Sequence, residues 1–191
     1  SEMFVPYQDP DRHWFYRAYF DMGEYGFGNM ASELKGHDCP ENAFFQNVVL
    51  HTAGGEPFTA PNRICIFEFD PGYPRWRHYE SLYADVPGID KHHSRRATHL
   101  VVRMAATIGN YDYFQDFVFQ QDGRIRIRLI STGVDATKGV FAETLADPTA
   151  ESETQVGTLI APYRLGVNHD HFFSYRIDMD VDCLLYTSDA A

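Results

Sequence analysis

THLVVRMAAT (Thr98–Thr107), YFQDFVFQ (Tyr113–Gln120) and RIRIRLI (Arg124–Ile130) follow one another in the middle of the chain. The first run is almost continuously apolar, as a buried strand is. The last alternates strictly, with Arg124, Arg126 and Arg128 on one face and Ile125, Ile127 and Leu129 on the other, because successive strand residues point to opposite sides. Between the second and third runs, Gln121-Asp122-Gly123 predicts a tight hairpin, a turn for which Asp-Gly is a strong signal.

Two more strands are read upstream, NAFFQNVVLHT (Asn42–Thr52) and NRICIFEF (Asn62–Phe69), joined through the turn Ala53–Pro57. Downstream, Val167–Val181 reads as one long strand. Residues 1–15, Pro71–Ser94 and 133–156 read as irregular or loop-like, and only Met30–Lys35 suggests a short helix. No internal repeat is found. The prediction is an all-β, sandwich-like fold, one domain or part of one.

The net charge is −11 with His neutral. No basic stripe exists to neutralise phosphates, so nucleic acid is excluded as a partner. An acidic surface suits cationic substrates. No apolar run reaches the length of a membrane span. Both ends read as cut: the chain starts at Ser1 without a signal peptide. After Asp182, CLLYTSDAA (Cys183–Ala191) has no pattern link to the strand before it and looks like a translated sequencing-library adapter. The fold is therefore expected to end by residue 182, with 183–191 a non-native tail. That leaves Cys39 and Cys65, either as one disulfide, which points to an oxidising compartment, or as two buried thiols.

His169-Asp170-His171 places two imidazoles at i and i+2 of a predicted strand, so both can reach one metal such as copper or zinc. A further ligand would be needed, and a hydrogen-bonded or exposed His pair is the alternative. His92-His93 reads as loop surface. Gly109-Asn110 interrupts two strong strands, which predicts a bulge or close backbone approach with Tyr111 at the break. An ordinary core tyrosine would also fit.

Four motifs in order then add a resemblance. Thr107-Ile108-Gly109-Asn110-Tyr111-Asp112-Tyr113 resembles the cofactor motif of the copper amine oxidases, in which the Tyr after Asn is oxidised to topaquinone. His169-Asp170-His171 with the run to Asp180 resembles that family's two-histidine copper strand. Tyr19 to Gly26 (YFDMGEYG) resembles the segment bearing the catalytic Asp, and Val5 to Pro10 (VPYQDP) the segment whose Tyr hydrogen-bonds the quinone. The resemblance spans about residues 1 to 182 and implies part of a large antiparallel β-sandwich.

It implies oxidative deamination of primary amines to aldehyde, ammonia and hydrogen peroxide, with dioxygen as oxidant. It implies Asp21 as the base, Tyr111 as quinone precursor, Tyr7 as its hydrogen-bond partner and Asn110 as the residue that restrains its rotation. Tyr19 would gate the substrate channel, and His169 and His171 would hold copper(II). A peripheral calcium site would draw on Asp178, the Met179 carbonyl and Asp180. Cys39 and Cys65 resemble the family's paired cysteines, which favours a disulfide and an extracellular or otherwise extracytoplasmic setting. The parent protein is expected to be a homodimer.

The third copper His of that family lies beyond residue 182, so the 191-residue chain itself is expected to be inactive. Two competing readings are a non-catalytic metal-binding β-sandwich module and an unrelated metal hydrolase. The second lacks any HExxH-like pattern.

Overall fold

The computed structural model describes residues 2–4, 18–21, 26–83 and 85–179. In chain order its strands are β1 (Glu2–Phe4), β2 (Ala18–Asp21), β3 (Phe44–His51), β4 (Pro57–Phe69), β5 (Pro74–Tyr79), β6 (His92–Arg96) and β7 (His99–Ile108). They continue with β8 (Tyr111–Phe119), β9 (Ile125–Gly133), β10 (Thr137–Gly139), β11 (Gly157–Ala161), β12 (Arg164–Val167) and β13 (Asp170–Phe172). Every described strand pair is antiparallel, which agrees with the all-β, sandwich-like reading. Two compact units are formed, Tyr25–Asp135 and Ser1–Glu24 with Ala136–Ala191.

The unit Tyr25–Asp135 is built on a five-stranded sheet, β3-β4-β7-β8-β9. The three central runs of sequence form its β7-β8-β9 meander. Pairing runs unbroken from Leu100↔Phe119 to Ile108↔Tyr111, and from Tyr111↔Gly133 to Phe119↔Ile125. Residues directly opposite share a face. Val101, Arg103 and Ala105 thus share one face with Val118, Asp116 and Phe114. That face carries the core of Leu34, Cys39, Cys65, Phe67, Val101, Ala105 and Val118. Tyr111 and Tyr113 belong to the other face. A Cys39–Cys65 disulfide crosses the core with Cα atoms 6.6 Å apart, which resolves the two readings of these cysteines.

Arg103, a charge within the apolar run of β7, is explained by Asp116. This carboxylate is fully buried. It accepts from Arg103 Nε at 2.7 Å and from Arg128 Nε at 2.9 Å. Burial alone would raise its pKa, but the hydrogen bonds and charges of Arg103 and Arg128 outweigh burial and hold it below the usual carboxylate value.

Several predicted elements are corrected. Gly109-Asn110 is no bulge within a strand; it is the two-residue turn of the β7–β8 hairpin, with Gly109 at φ +58°. β4 starts at Pro57 rather than Asn62. The register shifts opposite Asn47, and Pro61, which has no N–H, interrupts the strand pattern there. Met30–Lys35 is not helical: Ser32 donates to the Ala105 carbonyl (2.8 Å), Ala31 bridges Ala106, and the helical turn that does form is a 3-10 one at Gly36–Asp38. The loop-like stretch Pro71–Ser94 contains β5 and the start of β6, a two-stranded ribbon. It has no buried residue to imprint alternation on the sequence. Within 133–156 lie β10 and a four-residue helix, α1 (Ala150–Glu153).

Of the long strand predicted over Val167–Val181, the described residues are in strand only at Val167, the last residue of β12, and in β13. β12 pairs with β10 and β11, and β13 pairs with β1. The chain leaves one sheet and enters another at Asn168-His169, and residues 173–179 follow without regular structure. β12 and β13 are both extended, so the sequence pattern carries no mark of the exchange.

Candidate active site

Tyr111 opens β8, directly after the Gly109-Asn110 turn. Its side chain is buried, at 7% exposure. Its ring lies 6.3 Å from that of Tyr113, nearly parallel to it, and its hydroxyl donates to Asp135 Oδ1 at 3.4 Å. Tyr113 is wholly buried. Burial, and then the neighbouring Tyr111, push its pKa far above the usual tyrosine value. The two tyrosines therefore differ in kind: Tyr113 is a neutral core phenol, and Tyr111 reaches a carboxylate. Asn110 is exposed at the turn, and its carbonyl accepts from Val134 N–H at 2.7 Å.

The copper candidates lie in the other unit. The His169 and His171 rings are half-buried, with centroids 4.9 Å apart. The i, i+2 reading thus brings them together, although only His171 lies in β13. His169 Nδ1 is 2.7 Å from the Val167 carbonyl. A carbonyl only accepts, so Nδ1 carries the proton and Nε2 the lone pair that a metal would use. This donor pair fits two positions of a copper site. Among the described residues no group of three His, Cys, Asp or Glu is arranged to hold a metal.

The sheet β13-β1-β2 also carries Asp21. Met3 of β1 pairs with both His171 and Phe20, and Glu2 pairs with both Phe172 and Asp21. Asp21 and His171 thus stand on the two outer strands of one sheet, one residue apart in register. Tyr19 lies in β2. Tyr7, Asp180 and the tail 183–191 lie outside the described residues. Asp178 and Met179 are exposed on irregular chain, beyond the end of β13.

Gly133 and Asp135 were not singled out from sequence. Both fall where the Arg/Ile alternation has ended. The one available signal was the glycine closing a strand run, in Ser131-Thr132-Gly133.

The family model described as "Copper amine oxidase, enzyme domain" matches residues 1–186. Copper-containing amine oxidase gamma 1 of Arabidopsis thaliana is 42% identical over 183 residues, 95% of this chain and 25% of the relative. Primary amine oxidase of Klebsiella aerogenes is 41% identical over 181 residues, 94% of this chain and 23% of the relative. Another Arabidopsis relative, 40% identical over 95% of this chain and 26% of its own length, is named as peroxisomal. The crystal structure of a copper-containing benzylamine oxidase from Hansenula polymorpha superposes with a TM-score of 0.67 at 28% identity, over 88% of this chain and 24% of that one. The chain thus spans about a quarter of the length of the curated relatives it matches. With its antiparallel sheets, its buried Tyr111 and its paired histidines, this chain belongs to the copper amine oxidase family.

Proposed function

We propose that the protein containing this chain oxidises primary amines to aldehyde, ammonia and hydrogen peroxide, with Tyr111 as the precursor of its quinone. The observation that carries the reading is Tyr111 itself. It follows Asn110 at a hairpin turn, is buried, and presents its hydroxyl to a carboxylate. Copper and the tyrosine-derived quinone would supply the redox chemistry with dioxygen.

The chain's own residues would bind, orient and move protons. His169 and His171 supply two nitrogen ligands to copper(II). Asp21 takes the proton from the α-carbon of the amine, a task for which a carboxylate is best tuned near the working pH. Tyr7 hydrogen-bonds the ring oxygen, Asn110 restrains ring rotation, and Tyr19 gates the channel. Asp178, the Met179 carbonyl and Asp180 contribute oxygen ligands to a calcium ion. A third copper ligand comes from sequence beyond this chain, so the 191 residues alone bind copper weakly and do not turn over. The full protein acts as a homodimer. The disulfide supports an extracytoplasmic setting, whereas one relative is named as peroxisomal.

The test is expression of the full-length protein, addition of copper in air, and mass and visible spectra of the Tyr111 peptide. A mass gain with a quinone absorbance shifted by phenylhydrazine is expected. An unmodified Tyr111 with copper bound at His169 and His171 would reduce the protein to a metal-binding sandwich.

A further inference from the structure

We propose that Gly133, together with Asp135, positions Tyr111: the absent side chain at 133 lets the strand backbone seat against Asn110-Tyr111, and the carboxylate at 135 receives the phenol. The proposal rests on the reading of Tyr111 as the residue that is oxidised.

Gly133 is the last residue of β9 and pairs with Tyr111, the first of β8. Its φ is +110°, a backbone conformation that residues with a side chain rarely adopt. A Cβ built there would lie 2.8 Å from Tyr111 Cα and 3.0 Å from Asp112 N, and closer still to the Asn110 carbonyl oxygen. All three are backbone atoms, so none can swing aside as the end of a long side chain can. Carbon atoms settle at about 3.5–4.0 Å. Relieving the clash with the Tyr111 backbone therefore needs a shift of roughly 0.7 Å. The glycine at the far turn of the same hairpin differs. Gly123 also has positive φ, +88°, yet nothing lies within 4 Å of the place its Cβ would take.

The next two residues complete the cradle. Val134 N–H donates to the Asn110 carbonyl at 2.7 Å, and Asp135 Oδ1 accepts from the Tyr111 hydroxyl at 3.4 Å. Residues 133–135 thus meet the Asn110-Tyr111 pair at its carbonyl, its α-carbon and its phenol. Oxidation of a ring at a metal depends on where the ring stands, and a misplacement of about 1 Å can cost roughly 100-fold in rate.

The experiment follows quinone absorbance over time in the full-length protein after copper addition in air, with copper content and thermal midpoint measured alongside. Gly133→Ala is expected to slow quinone formation on the order of 100-fold at unchanged copper stoichiometry. Gly123→Ala imposes similar backbone strain without the clash and should keep the wild-type rate. Asp135→Asn, at an exposed position, should fold normally and slow quinone formation several-fold. A wild-type rate in Gly133→Ala overturns the proposal. Equal slowing in Gly123→Ala also overturns it, by making the effect a general loss of stability. Should Gly133→Ala not fold, a wild-type rate in Asp135→Asn overturns it instead. Absence of quinone in the wild-type protein would sink the reading of Tyr111 as precursor, a separate failure.

Discussion

Tyr111 and Tyr113 sit two residues apart on one face of β8, and only their surroundings tell them apart. Exchange of Tyr111 for Phe removes the phenol and leaves the ring in place. Tyr111→Phe is expected to fold and bind copper as the wild type does, and to show no quinone absorbance and no peroxide in a coupled assay. Tyr113→Phe keeps a ring in a site that holds the phenol neutral, and its quinone yield should stay near wild type. Asp116 makes a different kind of prediction. It is fully buried between two guanidinium groups, and removing one partner of a buried pair costs about 3–5 kcal/mol. Asp116→Asn should lower stability by that order in denaturant melts. The sign with pH follows from the depressed carboxyl. Its stabilisation is fully present above the ordinary Asp value, about 3.9, and is lost as pH falls through the lower folded-state value. The Asn variant should lose less stability over that acid range than the wild type.

The β7-β8-β9 meander was legible because burial writes itself into sequence. The apolar run of β7 reports its burial, whereas the Arg/Ile alternation of β9 reports the strand and not a dry face, since no residue of β9 is buried and Arg128 lies beside Asp116 on the core side. The β5–β6 ribbon has no buried residue, and PRWRHY and HHSRR carry no aliphatic face that marks a strand. The β12–β13 division was illegible for another reason. Both pieces are extended, and only hydrogen-bond partners far away in sequence distinguish them. The site was legible to the same degree. Tyr111, His169 and His171 stand in local motifs. Gly133 matters through a neighbour 22 positions earlier, in Tyr111, and nothing local announces that. The Cys39–Cys65 bridge closes a separation of 26 residues. Replacing both cysteines with Ala should cost about 3 kcal/mol in chain-entropy terms, read as a lowered denaturation midpoint. Copper content tests the β12–β13 exchange point. His169→Ala or His171→Ala should each reduce bound copper in the full-length protein and, with it, quinone yield.

The predicted catalytic residues divide between two units, Tyr111 in one and Asp21, His169 and His171 in the other. On the proposed reading, a chain that spans about a quarter of the relatives' length would hold two of the copper nitrogens and only a share of the site. The 191-residue chain, purified and given copper in air, should therefore produce no peroxide from a primary amine, whereas the full-length protein should. Turnover by the short chain would show that the missing ligand is dispensable.

The unbroken pairing of β8 with both its neighbours also bears on how the gene can change. Side chains alternate with a period of two, so a single added residue transposes everything on one side of it to the opposite face. One codon inserted within residues 111–119 would turn Tyr111 toward the Arg103–Asp116 side or bring Asp116 out of its ion pairs. The connection between β5 and β6, at residues 80–91, carries no such parity. Length variation among descendants of this gene should accumulate there and be purged from the meander, and a scan of single-codon insertions scored by quinone formation would draw that map directly.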